Sequence, residues 1–221
     1  MTDELPGLHH VTAVTADARK NIDFYTDVLG LRFVKKTVNF DDPGTYHLYF
    51  GNQSGNPGTA LTFFAFPGAQ PGTVGRGQVS AISFATPPDS IDFWEQHLTD
   101  HDLDPERHER FGDPVLSFTD PDGHPLEIVG VDQSFDPWTG GNIPAEHGLR
   151  GFHSVTLNSW QPGTTRKVLD VMGFAKKQTD GDRTRFRASS QPAANVDLLD
   201  RPDAPHGRPG AGTVHHVAFR T

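Results

Sequence analysis

The chain has 221 residues, 34% of them hydrophobic, a formal net charge of −9 and no cysteine. Disulfides and thiolate metal sites are thereby excluded, and the acidic balance argues against a nucleic-acid partner, which needs a basic face for phosphates. A mean hydropathy of −0.51, with no apolar run near the roughly 20 residues that span a bilayer, predicts no membrane partner.

The acidic start, residues 1–6, lacks a basic region followed by an apolar core, so no signal peptide and a cytoplasmic location are expected. Dense aspartate with scarce lysine suits a salt-rich cytoplasm, where screening weakens self-repulsion. The first strand is predicted over 9–15 and carries His9-His10. An amphipathic helix over 18–29 follows, with Ile22, Phe24, Tyr25, Val28 and Leu29 at helical spacing. Gly30 stops it as a C-terminal cap. Strands at 31–40, 46–50 and 60–66 come next, separated by Asp42-Pro43-Gly44 and the glycine-rich stretch 51–58.

The same order recurs. A strand over 78–85 leads through Pro87-Pro88-Asp89-Ser90 to a helix over 91–100. Strands near 106–111, 115–119 and 125–131 complete that unit, with Asp120-Pro121-Asp122-Gly123 as the last turn. After a Pro/Gly-rich stretch, 134–149, a third unit has strands at 151–157, 174–178, 184–188 and 195–199, with a helix over 164–172. A second Pro/Gly-rich connector, 201–212, precedes a final strand over 212–219 that carries His215-His216.

Strand, helix, three strands is a βαβββ module, and such repeats decide the fold before any local detail. The modules are 1–70, 71–133 and 150–200, with 134–149 a linker and 201–221 a connector plus the first strand of an incomplete fourth. The fold class is α+β, with modules pairing into open barrels because one curved half-sheet cannot bury its concave face alone. A lone fourth-module strand leaves an unpaired edge, so the chain is expected to be truncated and self-association into a homo-oligomer is expected.

Aligning Gly7-Leu8-His9-His10-Val11-Thr12 with Gly151-Phe152-His153-Ser154-Val155-Thr156 places His10 opposite Ser80, Ser154 and His216. A strand alternates faces, so one histidine of each pair should enter the cup, His10 with Thr12 and Val14, while His9 lies at the rim or behind. Leu126-Glu127-Ile128 aligns with Val196-Asp197-Leu198, and Thr62 holds that position in module one. The carboxylate partner of His216 would then fall beyond Thr221.

With histidine only in modules one and four, the chain resembles the vicinal oxygen chelate superfamily, which includes glyoxalase I, bleomycin-resistance proteins and extradiol dioxygenases. Residues 7–12 and the Pro-Asp-Gly-His-Pro-Leu-Glu segment, 121–127, are similar to the hydroquinone-type ring-cleaving dioxygenases. That resemblance implies pairing of modules one with four and two with three. It implies Fe(II), or alternatively Mn(II) or another divalent metal, held by His10 and His216 and an absent glutamate. It places His9, Thr12 and His215 near a small aromatic substrate and dioxygen, with His9 and His215 as candidates for proton transfer. Two imidazoles and a carboxylate on one face of iron leave the opposite positions open for both reactants.

Other readings stand beside this one. In one, modules one and two pair instead in a glyoxalase-type isomerase or lyase, placing His10 and Glu127 in one cup; otherwise Glu127 is structural. A metal-free bleomycin-resistance-type binder is the third reading. His153 is read as structural; His47, His97, His101, His108, His147 and His206 as exposed or loop residues; and His124 as a turn residue. The module-one aromatics, Phe40 and Tyr46 among them, are read mostly as core. Asp120-Pro121-Asp122-Gly123 lacks calcium-loop spacing, and Gly75-Arg76-Gly77 is too short for a phosphate loop.

Overall fold

The computed structural model describes residues 6–40 and 42–221; the acidic start at 1–5 lies outside them. The first repeat begins with β1 (Leu8–Thr15), whose buried Leu8, Val11 and Ala13 face the core. Helix α1 (Ala18–Asp23) is capped by Asp17, whose carboxylate accepts from the backbone N–H groups of Arg19 and Lys20. The helix does not run on to Leu29 as an α-helix. It widens into a π-turn over Phe24–Val28. The Thr26 hydroxyl donates to the Ile22 carbonyl (2.8 Å) and competes with the backbone for it. The Leu29 N–H reaches back five residues to Phe24. The wider turn leaves the adjacent Phe24 and Tyr25 both buried. Gly30 (φ +62°) ends it in the left-handed region.

Strands β2 (Arg32–Val38), β3 (Tyr46–Gly51) and β4 (Ala60–Ala65) complete the repeat. Phe40 lies past the end of β2 and Tyr46 opens β3. Both are exposed, so neither belongs to the core. The second repeat has β5 (Gln78–Thr86), α2 (Ile91–Asp100), β6 (Glu106–Arg110), β7 (Asp113–Thr119) and β8 (Pro125–Gly130). The third has β9 (Phe152–Ser159), α3 (Pro162–Val171), β10 (Ala175–Asp180), β11 (Arg183–Arg187) and β12 (Asn195–Asp200). Strand β13 (Val214–Phe219) follows.

Two mixed sheets result, and the fold is α+β. One has the order β13-β1-β4-β3-β2, the other β10-β11-β12-β9-β5-β8-β7-β6. Strand β1 pairs antiparallel with β13, and β5 with β9. The pairing of modules one and two is thereby overturned. His10 stands in the first sheet and Glu127 in the second, where Glu127 accepts from Ser83 (2.6 Å) and pairs with Arg110 (2.6 Å). The connectors close against each other through bridges Pro71↔Ala211, Thr73↔Arg208 and Arg76↔His206.

Register corrects two sequence inferences. The parallel pairs Thr12↔Thr62, Ser83↔Glu127 and Thr156↔Asp197 fix equivalent positions in the three repeats. His10 then corresponds to Ala81 and Ser154, not to Ser80 and Ser154. Ser80 is the extra residue of a β-bulge between Val79 and Ala81, and His153 is the extra residue opposite the step from Ser83 to Phe84. His9 and His215 are likewise the extra residues where β1 meets β13. A bulge interrupts the two-residue alternation and re-aims the side chain. The rule that one histidine of each pair must face away therefore fails here.

Candidate active site

The two bulges bring four imidazoles into one chain of contacts. His9 Nδ1 lies 3.0 Å from His10 Nδ1, His10 Nε2 lies 3.1 Å from His216 Nε2, and His216 Nδ1 lies 2.8 Å from His215 Nδ1. His10 and His216 are thus the central pair, and each has a histidine behind its other ring nitrogen. Burial, then the neighbouring His216 and His9, lowers the His10 pKa to about 4. Burial and His215 lower that of His216. Both rings are neutral at pH 7, the form that ligates a metal.

Thr12, expected near the substrate, lies buried directly beneath this pair. Its hydroxyl sits 3.1 Å from His216 Nε2 and 2.7 Å from the Thr62 hydroxyl. The network continues from Thr62 to His47 Nε2 (3.0 Å), and from His47 Nδ1 to the Tyr49 hydroxyl (2.9 Å). His47 is therefore neither a loop residue nor free of the site. Burial first, then His10, His216 and Lys35, lowers its pKa to about 4. Lys35 sits over the Tyr49 ring, 4.3 Å from its centroid. His9, His10, Lys35, His47, Tyr49 and Phe50 border an open cavity of about 410 Å³, within the range of small-molecule sites.

The two Nε2 atoms offer a divalent metal two convergent imidazole ligands. Among the described residues no carboxylate joins them, since Thr62 stands where Glu127 and Asp197 stand in the other repeats. The donor set fits a two-histidine, one-carboxylate centre with one member to be supplied. In the second sheet, β12 flanks β9 and β8 flanks β5, each bearing its carboxylate; in the first, β13 is an edge strand.

A second group, Asp120, Asp122 and His124, has ligand atoms within 4.8 Å of one another. Most of its ligand atoms are already engaged, although the buried His124 Nε2 has no hydrogen-bond partner. Asp120 accepts from the Tyr25 hydroxyl (3.0 Å), His124 Nδ1 (2.7 Å) and the backbone N–H groups of Asp122 (3.0 Å) and His124 (2.8 Å). Asp122 takes the Thr15 hydroxyl (2.5 Å) and the Ala16 N–H (3.2 Å). Four donors fill a carboxylate's lone-pair positions, so this group reads as a buried tie between the first two repeats.

His9, His10, Thr12, His215 and His216 all lie within this network. Lys35, His47 and Tyr49 were not singled out by the sequence. Their one legible signal is alternation on β2 and β3, which puts His47 and Tyr49 on the same face. His153 is buried, as its structural reading implies, with its pKa lowered to about 3, chiefly by burial and then by Arg185.

The family model described as Glyoxalase/Bleomycin resistance protein/Dioxygenase superfamily matches residues 7–128. Over 222 residues the chain is 43% identical to the "Putative ring-cleaving dioxygenase MhqO" of Bacillus subtilis, covering 100% of this chain and 71% of that protein. It is 37% identical over 234 residues to the chlorohydroquinone/hydroquinone 1,2-dioxygenase of Sphingobium indicum, covering 99% and 71%. The crystal structure of a "putative dioxygenase" from Bacillus subtilis superposes with a TM-score of 0.95 at 43% identity, covering 99% of this chain and 71% of that one. Glyoxalase I from Zea mays has the same fold, with a TM-score of 0.71 at 15% identity over 96% of this chain and 73% of that one.

Proposed function

Because the chain belongs to the glyoxalase/bleomycin resistance protein/dioxygenase superfamily, we propose that it is a metal-dependent, cytoplasmic ring-cleaving dioxygenase acting on hydroquinone- or catechol-like phenols. The family and its dioxygenase relatives imply a divalent metal, an aromatic substrate and dioxygen. The observation that carries the assignment to residues is the 3.1 Å approach of His10 Nε2 to His216 Nε2 beside an aromatic-walled cavity.

Fe(II), or Mn(II) in its place, supplies electron transfer between the ring and dioxygen when bound there. His10 and His216 hold it through Nε2. His9 and His215 are positioning residues on this reading, each receiving the Nδ1–H of the adjacent ligand and so fixing its tautomer. A carboxylate presented at the outer edge of β13 would complete the set, by analogy with Asp197 beside β9. His9 also borders the cavity; a neutral His9 accepting at Nδ1 carries its proton on Nε2, so it takes a phenolic proton only when its Nδ1 turns from His10 to the phenol, and the same holds for His215, the alternative base. Thr12, Thr62, His47 and Tyr49 form a hydrogen-bonded floor that orients His216 and the substrate ring. The division at 1–70, 71–133, 150–200 and 201–221 and association through the β13 edge are part of the same reading.

Metal analysis after anaerobic purification tests it. Near-stoichiometric iron or manganese is expected, falling to background in His10→Ala and His216→Ala, together with oxygen uptake on adding a hydroquinone. Unchanged metal content in His10→Ala would remove the ligand assignment. Metal-replete protein that turns over a methylglyoxal–thiol adduct but no hydroquinone would overturn the dioxygenase assignment.

A further inference from the structure

The second sheet contains a cavity of about 510 Å³ between β10, β11 and the ends of β6 and β12. Register makes it the internal counterpart of the cavity at His10. His153 and Ser154 take the places of His9 and His10, and Arg185 that of Tyr49. Three positions that are small or apolar in or beside the first cavity have become polar or charged, while Lys35 has become Gln178. Lys177 replaces Val34, Arg187 replaces Gly51, and Asn195 replaces Ala60. Lys177, like Val34, is the extra residue of a bulge, a device that re-aims side chains next to functional sites.

The lining of this cavity contrasts with the acidic whole. Glu127 pairs with Arg110, and Asp197 with Arg183 and Arg185. In the cavity lining itself the three cations Lys177, Arg185 and Arg187 face the two carboxylates Asp113 and Asp132. The partners of Arg187 are the carbonyls of Ser189 (2.6 Å), Ser190 (3.2 Å) and Gln191 (3.4 Å) and the Asn195 amide oxygen (3.5 Å), none of them a carboxylate. Phe111 adds a separate sign. It has φ +54°, unusual for a bulky side chain, and its ring lies under the Arg185 guanidinium at 4.5 Å. Ala193, with φ +58°, also lines the cavity. Phe111 and Gly112 are the two residues between the paired Arg110 and Asp113, a hairpin turn with φ above zero at both, so the turn accounts for their backbone and sets the Phe111 ring on the cavity wall.

We infer that this cavity is a second ligand site, distinct from the histidine cluster, that takes a small organic monocarboxylate. Lys177 and Arg187 receive the carboxylate, and the Phe111, Val131 and Pro192 wall receives the apolar body. The single excess cation selects a monoanion over an inorganic dianion. Loss of the second histidine to Ser154 removes the metal ligand at the corresponding position, so binding here needs no metal.

Calorimetric titration of the full chain, stripped of metal with EDTA, tests this with benzoate, benzamide and inorganic phosphate. Benzoate should saturate one site, with benzamide and phosphate each weaker by about tenfold or more, the cost of one lost charge-assisted contact. Lys177→Met should weaken benzoate by a similar factor; Lys177 is exposed on an edge strand, so the fold does not depend on it. Arg187→Gln should do the same, with binding restored in Arg187→Lys, and His10→Ala should leave benzoate binding unchanged. Absence of saturation, equal binding of benzamide or phosphate, or loss in His10→Ala with retention in Lys177→Met would overturn the site.

Discussion

His10 and Ser154 occupy one register position in two repeats, and that exchange separates a cavity with two convergent imidazoles from one without them. The residue below them differs in the opposite sense: Thr62 in the first repeat, the carboxylate of Asp197 in the third. The carboxylates of the second sheet are neutralised by arginine rather than left for a cation. Glu127 is buried and held below the usual carboxylate range; its burial opposes this, while Arg110 and Ser83 bring it about. Arg110→Ala should cost about 3–5 kcal/mol in urea unfolding, because it strands a buried charge. Arg110→Met combined with Glu127→Leu should recover most of that loss, and a double variant as unstable as the single would contradict the account. His153 adds a pH dependence. Its folded pKa is about 3 against an ordinary value of 6.5, so between those values the unfolded chain binds the extra proton. Stability therefore falls as pH drops from about 6.5 towards 3, by about 2 kcal/mol between pH 7 and 5. The lowered pKa values of Asp197 and Glu127 act in the same direction at lower pH. Unfolding midpoints of the wild type and His153→Gln at pH 7 and 5 check this; the variant should show the shallower dependence.

Bulges are the elements that build both cavities. Each first strand of a repeat carries one extra residue, His9, Ser80, His153 or His215, where it meets its antiparallel partner. In the first sheet that residue is histidine on both strands, which turns two dipeptides into a four-ring cluster. Helix α1 shows the same dependence on local geometry. Its π-turn buries neighbouring aromatics and delivers Gly30 to the linker, where an added Cβ would come 2.4 Å from Ile143 Cγ1. Gly30→Ala should destabilise by about 2–4 kcal/mol, from the left-handed backbone together with overpacking. Ile143→Ala in that background should relieve only the steric part. Thermal unfolding of the single and double variants distinguishes the two contributions, and a Gly30→Ala protein as stable as wild type would refute both.

At the scale of the whole molecule, the two sheets share a plan but not an extent: five strands against eight. The three-strand difference falls beside β13, the edge at which the proposed third ligand would be presented. The net charge of −9 predicts a second global property. Screening shortens the Debye length from about 10 Å at 0.1 M salt to about 3 Å at 1 M, so added chloride should raise the melting temperature by relieving self-repulsion. A flat response between those concentrations would remove the salt-adaptation reading.

The repeat and the α+β class were legible in the sequence, because strand alternation, helix spacing and Gly/Pro punctuation are written at short range; comparison of the repeats singled out His10 and His216, which the structure sets side by side. The placement of His47, the equivalence of His10 with Ala81 rather than Ser80, and the shared direction of both histidines in each pair were not. The last two depend on an extra residue in one strand, and that bulge is defined only against a partner 68 to 211 positions away in the chain; the placement of His47 depends on the pairing of β3 with β4, which brings it to Thr62. For the same reason the separation of Glu127 from His10 was decided by tertiary pairing. Two antiparallel partnerships, β1 with β13 and β5 with β9, determine which polar groups meet, and sequence periodicity within one strand carries no information about its neighbour.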